Sequence, residues 1–387
     1  MARVSKADLV NIRIDHVSSL LRPAWLKDLF ARYRAGQANE EELQAGEDRA
    51  IREVIGKQEA AGLPVVTDGE YRRFVFSESA TNTLGGLAEG MYQGGVRETA
   101  IRAGSRFETP PEEPQGTTSR IALRRNLPLE EYRFAQQVAT RPVKVAILGP
   151  DRLMPRQRPS PFYATQDAYA EDFVAAYRQM VGELVAAGCR YVQIDGPEYT
   201  AYVDPPSLER MRANGEDPDQ SLTRAIEMDN AIIAGFPDVT FGLHICRGNR
   251  SSMYHREGSY DEIAERLFGS SNYDRFLLEY DTERAGGFAP LRFVPQGRTA
   301  VLGLVTTKFP DVEPADQLKT RLEEAGRFLD PSQLALSPQC GFASSLGGNL
   351  LDEEAQWRKL EVIGRSLTKC GRDGRIPVWS PNPTSGA

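Results

Sequence analysis

Two residues with metal-binding side chains stand two positions apart in the segment GLHIC, where Cys246 follows His244. Side chains at positions i and i+2 of a β-strand point to the same face, so this spacing presents an imidazole beside a thiol. A second thiol, Cys340, and a carboxylate, Glu279, each follow a different apolar run. The four residues form a candidate His/Cys/Glu/Cys metal site.

Two thiolates and an imidazole favour Zn²⁺ over Mg²⁺ or Ca²⁺, which prefer oxygen ligands. A carboxylate in the fourth position can be replaced by the sulfur of a substrate. The alternative is that both cysteines are packed in the core and His244 is structural, since buried free cysteine is common. On that alternative the chain is a metal-free binding protein, and its metal content separates the two hypotheses.

Short apolar runs that alternate with segments of helical period must position these residues. Eight parallel strands close a barrel of this type, and eight runs are found, at residues 11–17, 63–67, 142–148, 190–194, 239–243, 275–278, 300–305 and 333–337. We therefore predict an α/β fold, a (β/α)8 TIM barrel. Residues 167–187 and 313–329 have the helical period expected between strands.

The long gap between the second and third runs predicts an inserted excursion at about residues 85–135, with Gly-rich and Pro-rich stretches at 85–95 and 109–116. We predict a single barrel domain over residues 1–387. Two domains divided near Arg120 are the alternative, but the later part alone has too few strands to close. The Pro-, Ser- and Gly-rich tail at 377–387 is predicted to be poorly ordered or to cover the barrel base.

Active sites of such barrels lie at the carboxyl ends of the strands, and polar residues are concentrated there in this chain. They follow the apolar runs as Asp15, His16, Ser18 and Ser19; Asp68 and Glu70; Asp195 and Glu198; His244 and Cys246; Glu279 and Asp281; Thr306, Thr307 and Lys308; and Gln339 and Cys340.

Composition argues against several classes of partner. The 387 residues include 47 basic and 54 acidic side chains, a formal charge of -7, without the basic stripe that nucleic acid requires. No apolar segment reaches the ~20 residues that span a bilayer, and the first residues lack a secretory signal. We expect a cytoplasmic protein with no nucleic-acid or membrane partner. Four cysteines do not suggest a disulfide framework, and nothing in the sequence indicates an oligomeric state.

Several motifs resemble the cobalamin-independent methionine synthase superfamily, which includes stand-alone catalytic cores and epoxyalkane:coenzyme M transferases. They are HVSSLLRP at 16–23, GLPVVTDGEYRR at 62–73, YVQIDGPEY at 191–199, GLHIC at 242–246, Glu279, and SPQCGFAS at 337–344. The resemblance implies the catalytic C-terminal barrel of that family. It also implies zinc bound by His244, Cys246, Glu279 and Cys340.

The same resemblance implies that Ser19, Glu70 and Asp195 hold an amino-acid thiol. Two carboxylates would suit its ammonium group. Two alternatives remain open, namely that Glu70 pairs with Arg72 or Arg73 and that Asp195 caps the following loop.

Two departures from the family pattern bear on the reaction. The fourth strand ends in IDGP, whereas the synthases have IDEP, and Lys308 lies where the family has its proton-donating His. Lys308 is therefore a candidate proton donor, unless it extends to solvent, and His16 is a second catalytic candidate. Arg22, Arg72 and Arg73 could hold an anionic group of the donor.

We expect a thiol methyltransferase or alkyltransferase, which moves a methyl group from 5-methyltetrahydrofolate or a related donor to a homocysteine-like thiol. The alternative is a zinc-thiolate alkyltransferase or lyase that acts on a different thiol and on an epoxide or methyl-ether carbon. In either case the partners are a small-molecule thiol and a methyl or alkyl donor.

Overall fold

The computed structural model describes residues 4–87, 97–100, 106–108, 117–154 and 161–370 of the chain. In these residues the α-helices are α1 Lys6–Val10, α2 Ala24–Arg34, α3 Glu40–Ala60, α4 Glu78–Thr81, α5 Leu127–Val138, α6 Gln166–Ala186, α7 Pro205–Ala213, α8 Pro218–Ile233, α9 Asp261–Ser270, α10 Ala315–Ala325 and α11 Glu353–Cys370.

The strands of the described residues, in chain order, are β1 Leu84–Leu87, β2 Arg97–Ala100, β3 Arg106–Glu108, β4 Thr117–Leu123, β5 Lys144–Leu148, β6 Tyr191–Asp195, β7 Thr240–Ile245, β8 Met253–Tyr254, β9 Arg275–Glu279, β10 Thr299–Val305 and β11 Leu334–Pro338. Strands and helices alternate through most of the chain, which confirms the predicted α/β class.

Six strands form the central sheet, in the order β11-β10-β9-β7-β6-β5, and every pair is parallel. Each of these strands is buried along its whole length, as expected for a parallel sheet covered by helices. All six had been predicted, with ends that differ by one or two residues. Their carboxyl ends therefore share one edge, where the polar residues of the sequence pattern lie.

The first two predicted strands are only partly formed, and their predicted lengths were wrong. Ile14 makes one parallel bridge to Leu336 of β11, and Val66 makes one to Val143, just before β5. Side chains make some of the hydrogen bonds around the first segment that a backbone ladder would otherwise supply. Thr67 Oγ1 donates to the Ser18 carbonyl at 2.8 Å, and the Lys144 ammonium donates to the His16 carbonyl.

Residues within the predicted excursion form small antiparallel pairings outside the central sheet. Strand β1 pairs with β4, and β2 lies between β3 and β8. Strand β8 closely follows β7, the strand that contains the candidate metal ligand His244. Because β2 pairs with β8, part of the excursion is attached to the loop after Cys246. Residues 88–96, 101–105 and 109–116, which include most of the Gly-rich and Pro-rich stretches, lie outside the described residues, as does the tail at 377–387.

A fully buried ionic cluster ties the first segment to the inside of the sheet. Asp15 accepts hydrogen bonds from Lys144 Nζ at 2.7 Å and from the Tyr191 hydroxyl at 2.6 Å, and Arg275 Nη2 lies 3.2 Å from the same carboxylate. Arg275 also donates to the carbonyls of Leu9, Val10 and Ile12. Asp15 therefore binds charged and polar side chains in the interior of the sheet.

None of the helices formed by the described residues combines the length and the apolar character that crossing a bilayer requires.

Candidate metal centre

The imidazole of His244 and the thiols of Cys246 and Cys340 converge at the carboxyl edge of the central sheet. His244 lies in β7, Cys246 directly follows that strand, and Cys340 comes two residues after β11. One ligand atom from each residue can be chosen so that all three lie within 4.8 Å of one another, and all three residues are buried. The prediction that these three residues meet is therefore confirmed.

The two thiols differ in their affinity for a proton because they are hydrogen-bonded to each other. The hydrogen bond with Cys340 and the neighbouring His244 hold the pKa of Cys246 well below its ordinary value, whereas the same contact and burial raise the pKa of Cys340. Burial opposes charge on His244, but its hydrogen bond to Cys246 raises the pKa of the imidazole. Cys246 is thus the more acidic thiol of the pair.

The donor atoms fit a thiophilic metal ion. His244 Nε2 is buried without a hydrogen-bond partner among the described residues, although buried ring nitrogens ordinarily have one. Two sulfur donors and one imidazole nitrogen match the ligands of zinc sites in which a fourth position is left for substrate or solvent. The group therefore has the chemistry of a catalytic metal site.

Glu279, the predicted fourth ligand, lies at the end of β9 and is fully buried. Its Oε2 accepts from the Arg247 backbone N–H at 2.7 Å and its Oε1 from Arg284 Nη2 at 2.5 Å. Burial opposes charge, but Arg284, Lys308 and Arg247 together lower the pKa of Glu279 to about 2. The carboxylate is an anion, and in this arrangement both its oxygens are occupied by the protein. Its role as a ligand stays a prediction.

Lys308 is buried beside this group and does not extend to solvent. Its ammonium donates to the Gly248 carbonyl at 2.6 Å and to Asn249 Oδ1 at 2.8 Å. Burial lowers the pKa of Lys308, while the carboxylate of Glu279 opposes that change. The Lys308 Nζ atom is therefore held at a fixed place close to His244, Cys246 and Cys340.

Asn249 is a site residue that sequence reasoning missed. Its amide nitrogen donates to Thr307 Oγ1 at 3.0 Å and to the Gly341 carbonyl at 2.6 Å. One side chain thus joins the loops that follow β7, β10 and β11. The sequence signal for Asn249 was its position five residues after His244. Its hydrogen-bond partners could not be inferred, because they depend on how the strands are arranged.

Glu70 presents a buried carboxylate whose Oε2 has no hydrogen-bond partner within the described residues. Of the two arginines that could pair with it, Arg72 binds elsewhere, whereas Arg73 divides its guanidinium between Glu131 and a longer ion pair with Glu70. Arg72 binds Glu47 at 2.9 Å and Asp48, and Arg73 binds Glu131 through Nε at 2.8 Å and Nη2 at 2.5 Å, leaving Arg73 Nη1 3.8 Å from Glu70. Burial raises the pKa of Glu70 to about 7.

Asp195 ends β6 and does not cap the following turn, because Gly196 is the cap of the 3₁₀ helix Pro197–Tyr202 and no side chain caps it. Asp195 Oδ1 accepts from Gln193 Nε2 at 2.7 Å. Burial raises the pKa of Asp195, and the charges of Glu70 and Asp195 repel each other. Two acids thus face one region of the site.

Ser19 lies against the Cys340 loop. The Phe342 N–H donates to the Ser19 carbonyl at 2.8 Å, and a Cβ on Gly341 would come within 1.9 Å of Ser19 Oγ. Only glycine fits at position 341 because the hydroxyl occupies that space. Ser19 is therefore adjacent to a metal-candidate residue.

His16, the second catalytic candidate, is fully buried and associated with the interior ionic cluster. Its Nε2 lies 3.3 Å from the Val65 carbonyl, and burial together with Lys144 lowers the pKa of the imidazole to about 4. A catalytic role for His16 stays a prediction. Cys189 is buried at the opposite end of β6, where its thiol donates to the Tyr191 carbonyl at 3.4 Å.

The comparisons with known proteins agree on one family. Residues 24–349 match the family profile of the cobalamin-independent synthase catalytic domain. The uncharacterized protein YxjH of Bacillus subtilis (strain 168) is 35% identical over 355 residues, 91% of this chain and 92% of that protein. A methionine synthase of Thermococcus kodakarensis is 23% identical over 364 residues, 92% of this chain and 94% of that protein. A Listeria monocytogenes crystal structure, provisionally named a vitamin-B12 independent methionine synthase, aligns with a TM-score of 0.71 and 28% identity over 96% of this chain and 98% of that one.

Proposed function

The chain belongs to the family of cobalamin-independent synthase catalytic domains, and we propose that it transfers a methyl or alkyl group to a thiol activated by zinc. The family supports transfer of a methyl group to a thiol in general. The observation that carries the zinc-dependent form of this proposal is the buried convergence of His244, Cys246 and Cys340 at the carboxyl edge of the sheet.

We propose that residues 1–387 form one closed (β/α)8 barrel with an insertion at about 85–135. The two bridged segments lie at opposite ends of the six-stranded order. Backbone and side-chain hydrogen bonds join these segments, since Leu20 N–H donates to the Gly69 carbonyl at 3.1 Å and Thr67 Oγ1 donates to Ser18. Closure would bring Ser19 and Glu70 to the same rim as the metal-candidate residues.

His244, Cys246 and Cys340 would hold the zinc ion, with Glu279 as an exchangeable fourth ligand. A bound zinc ion lowers the pKa of a coordinated thiol, which makes its sulfur a nucleophilic thiolate at neutral pH. The ion pair between Glu279 and Arg284 supports exchange, because it offers the carboxylate a partner when substrate sulfur occupies the fourth position.

Ser19, Glu70 and Asp195 would hold the amino-acid end of a homocysteine-like thiol. Oε2 of Glu70 accepts no hydrogen bond from the described residues, although Arg73 Nη1 lies 3.8 Å away. This supports the role, since a buried carboxylate oxygen gains most from a charged hydrogen-bond donor such as an ammonium group. The raised pKa values of both carboxylates fit a site that a cationic ligand stabilises.

Lys308 would donate a proton or a hydrogen bond to the leaving group of the donor. Its ammonium uses two of its three donors on Gly248 and Asn249, which leaves one for a substrate. Such a proton donor suits an oxygen leaving group. It is therefore also compatible with the alternative function, in which a different thiol attacks an epoxide or a methyl ether. For a nitrogen leaving group, as in 5-methyltetrahydrofolate, the same proton would serve. His16 would support the strand-one loop from inside the barrel.

The decisive experiment measures bound metal and thiol coordination together. Protein purified without chelator is analysed for zinc, and homocysteine, glutathione and coenzyme M are titrated while X-ray absorption at the zinc edge reports a new Zn–S contact. We expect one zinc per chain and a new sulfur with homocysteine. Coordination of another thiol only would favour the alternative transferase, and absence of zinc after reconstitution would refute the proposal.

The chain offers a matched cysteine control for this experiment. Cys340→Ser is expected to weaken zinc binding by more than about 100-fold, since even the groups that orient metal ligands contribute roughly 10–100-fold. Cys189→Ser removes a thiol that is equally buried but lies at the other end of the sheet, and it should keep its zinc.

A further inference from the structure

One buried guanidinium joins the loops after the first two segments and the last strand of the sheet. Arg22, only 1% exposed, donates through Nη2 to the carbonyls of Glu70 at 2.5 Å and Arg73 at 2.9 Å. Through Nη1 it donates to the carbonyls of Ala343 at 2.9 Å and Leu20 at 3.4 Å. Arg22 thus makes four hydrogen bonds to backbone carbonyls, while its buried Nε has no hydrogen-bond partner among the described residues. The suggestion that Arg22 holds an anionic group of the donor stays a prediction.

The Glu70 backbone needs such support because it is strained. Its φ is +60°, a left-handed conformation that residues other than glycine rarely adopt. Asp68 Oδ1 accepts the Glu70 N–H at 3.0 Å, and Arg22 binds the Glu70 carbonyl. The peptide groups on both sides of the Glu70 side chain are thus fixed, which sets the direction of the carboxylate.

The other end of the same contact lies in the Cys340 loop. Ala343 follows Cys340 by three residues, and the Phe342 N–H between them is bound by the Ser19 carbonyl. Arg22 follows Ser19 by three residues in the first loop. A single guanidinium thus spans from the loop that carries the carboxylate to the loop that carries a metal-candidate thiol.

We propose that Arg22 is a positioning residue that fixes the separation between the Glu70 carboxylate and the Cys340 sulfur and thereby selects thiols with an ammonium group at matching distance. The inference rests on the proposed function, because it assigns the ammonium subsite to Glu70 and the sulfur subsite to the metal. It adds a role for a side chain that touches neither substrate nor metal.

Lysine cannot reproduce this arrangement. The guanidinium is planar and rigid and offers five N–H donors, whereas an ammonium is a point charge with three donors. Arg22→Lys keeps the positive charge but loses the simultaneous contact with all three segments. The variant therefore separates positioning from charge.

The test compares homocysteine with 4-mercaptobutyrate, which has the same chain and carboxylate but lacks the amino group. Affinities are measured on the zinc-loaded protein from the thiol dependence of the zinc-edge spectrum. Wild-type protein is expected to prefer homocysteine, and Arg22→Lys is expected to reduce that preference by about 10-fold or more, the equivalent of one charged hydrogen bond. Zinc content and affinity for 4-mercaptobutyrate should stay within about twofold of wild type.

Arg275→Lys is the control matched in burial and in its carbonyl contacts. Arg275 donates to three backbone carbonyls, compared with four for Arg22, but it does so at the amino end of β9, where it holds the segment around α1. This control should lower the melting temperature without changing the ratio of the two affinities. Arg22→Gln, which keeps a neutral donor, is the second variant if Arg22→Lys does not fold.

The outcomes distinguish this inference from the function on which it rests. If wild-type zinc gains no sulfur from either thiol, the proposed function fails and the role of Arg22 fails with it. If wild type prefers homocysteine and both Arg22 variants keep that preference, only the role of Arg22 is overturned. A preference lost in the Arg22 variants and kept in Arg275→Lys supports it.

Discussion

If Glu70 holds the ammonium group as proposed, binding of amino-acid thiols should depend on pH. Burial raises the pKa of Glu70 to about 7, so the group is mostly neutral at pH 6 and mostly ionised at pH 8. An ammonium group binds the ionised form. We expect the preference for homocysteine over 4-mercaptobutyrate to rise by roughly tenfold from pH 6 to pH 8, because one pKa unit corresponds to a tenfold change in population.

Glu70→Gln should remove both the preference and its pH dependence. Glu47→Gln is the matched control, since burial also raises the pKa of Glu47 to about 7, but this carboxylate lies on α3 and binds Arg72. A pH-dependent preference that persisted in Glu70→Gln would assign the ammonium to another residue.

Lys308 is expected to act in turnover and not in metal binding. Lys308→Met removes the only proton donor that we propose for the leaving group, so the rate should fall by about 100-fold or more. Zinc content should be unchanged, because the ammonium binds Gly248 and Asn249 and not the ligands themselves. The exposed Lys57→Met serves as control, and an undiminished rate in Lys308→Met would contradict the assignment.

At the scale of single elements, the buried strands were predictable and the first two segments were not. Runs such as residues 300–305 are apolar throughout, which is typical of parallel strands covered on both faces. The segment at 11–17 mixes apolar with polar residues and was also predicted as a strand, but the carbonyl of His16 accepts a hydrogen bond from the Lys144 ammonium. Lys144 is 128 residues away along the chain, so apolar periodicity carries no information about that contact.

The same reason explains which site residues were found. His244, Cys246 and Cys340 are recognised by residue type at strand ends. Arg22 and Asn249 act through backbone carbonyls of distant loops, and any residue can supply a carbonyl. Their roles become visible only when the loops are in place.

The loop after Cys246 is a second strained element. Ser251 and Ser252 both have positive φ values, +48° and +65°. Left-handed backbone costs a non-glycine residue about 1–2 kcal/mol, whereas glycine costs about 0.5–1 kcal/mol in conformational freedom. Ser251→Gly should therefore stabilise the protein by up to about 1 kcal/mol in urea unfolding.

Ser119→Gly is the appropriate comparison for that loop variant. Ser119 is also exposed but lies in the extended strand β4, where replacement by glycine is expected to destabilise. Equal effects of the two substitutions would mean that the loop conformation stores no strain.

For the whole molecule, a buried acid in the helical layer sets part of the pH dependence of stability. Asp229 of α8 accepts a hydrogen bond from the Tyr199 hydroxyl at 2.8 Å, and burial raises its pKa from 3.8 to about 7. Between these values the folded protein keeps a proton that the unfolded chain has lost. Its contribution to stability therefore declines as pH rises from about 4 to 7.

Asp229→Asn removes this titration. The free energy of unfolding of the variant relative to wild type should increase by roughly 2–4 kcal/mol between pH 4 and pH 8, the magnitude expected for a shift of this size in a buried group. The exposed Asp238→Asn should show no such trend. A constant difference between Asp229→Asn and wild type across this range would show that Asp229 does not titrate there.

The bridge between Ile14 and Leu336 joins the first strand segment to β11, the last strand of the described residues. During synthesis, the first segment must wait for more than three hundred residues before its neighbour emerges from the ribosome, and Cys340 emerges at about the same time. Distant pairings of this kind form late. If the site binds zinc as proposed, the growing chain can complete it only after Cys340 has been synthesised. A chain truncated before Cys340 is therefore expected not to retain zinc.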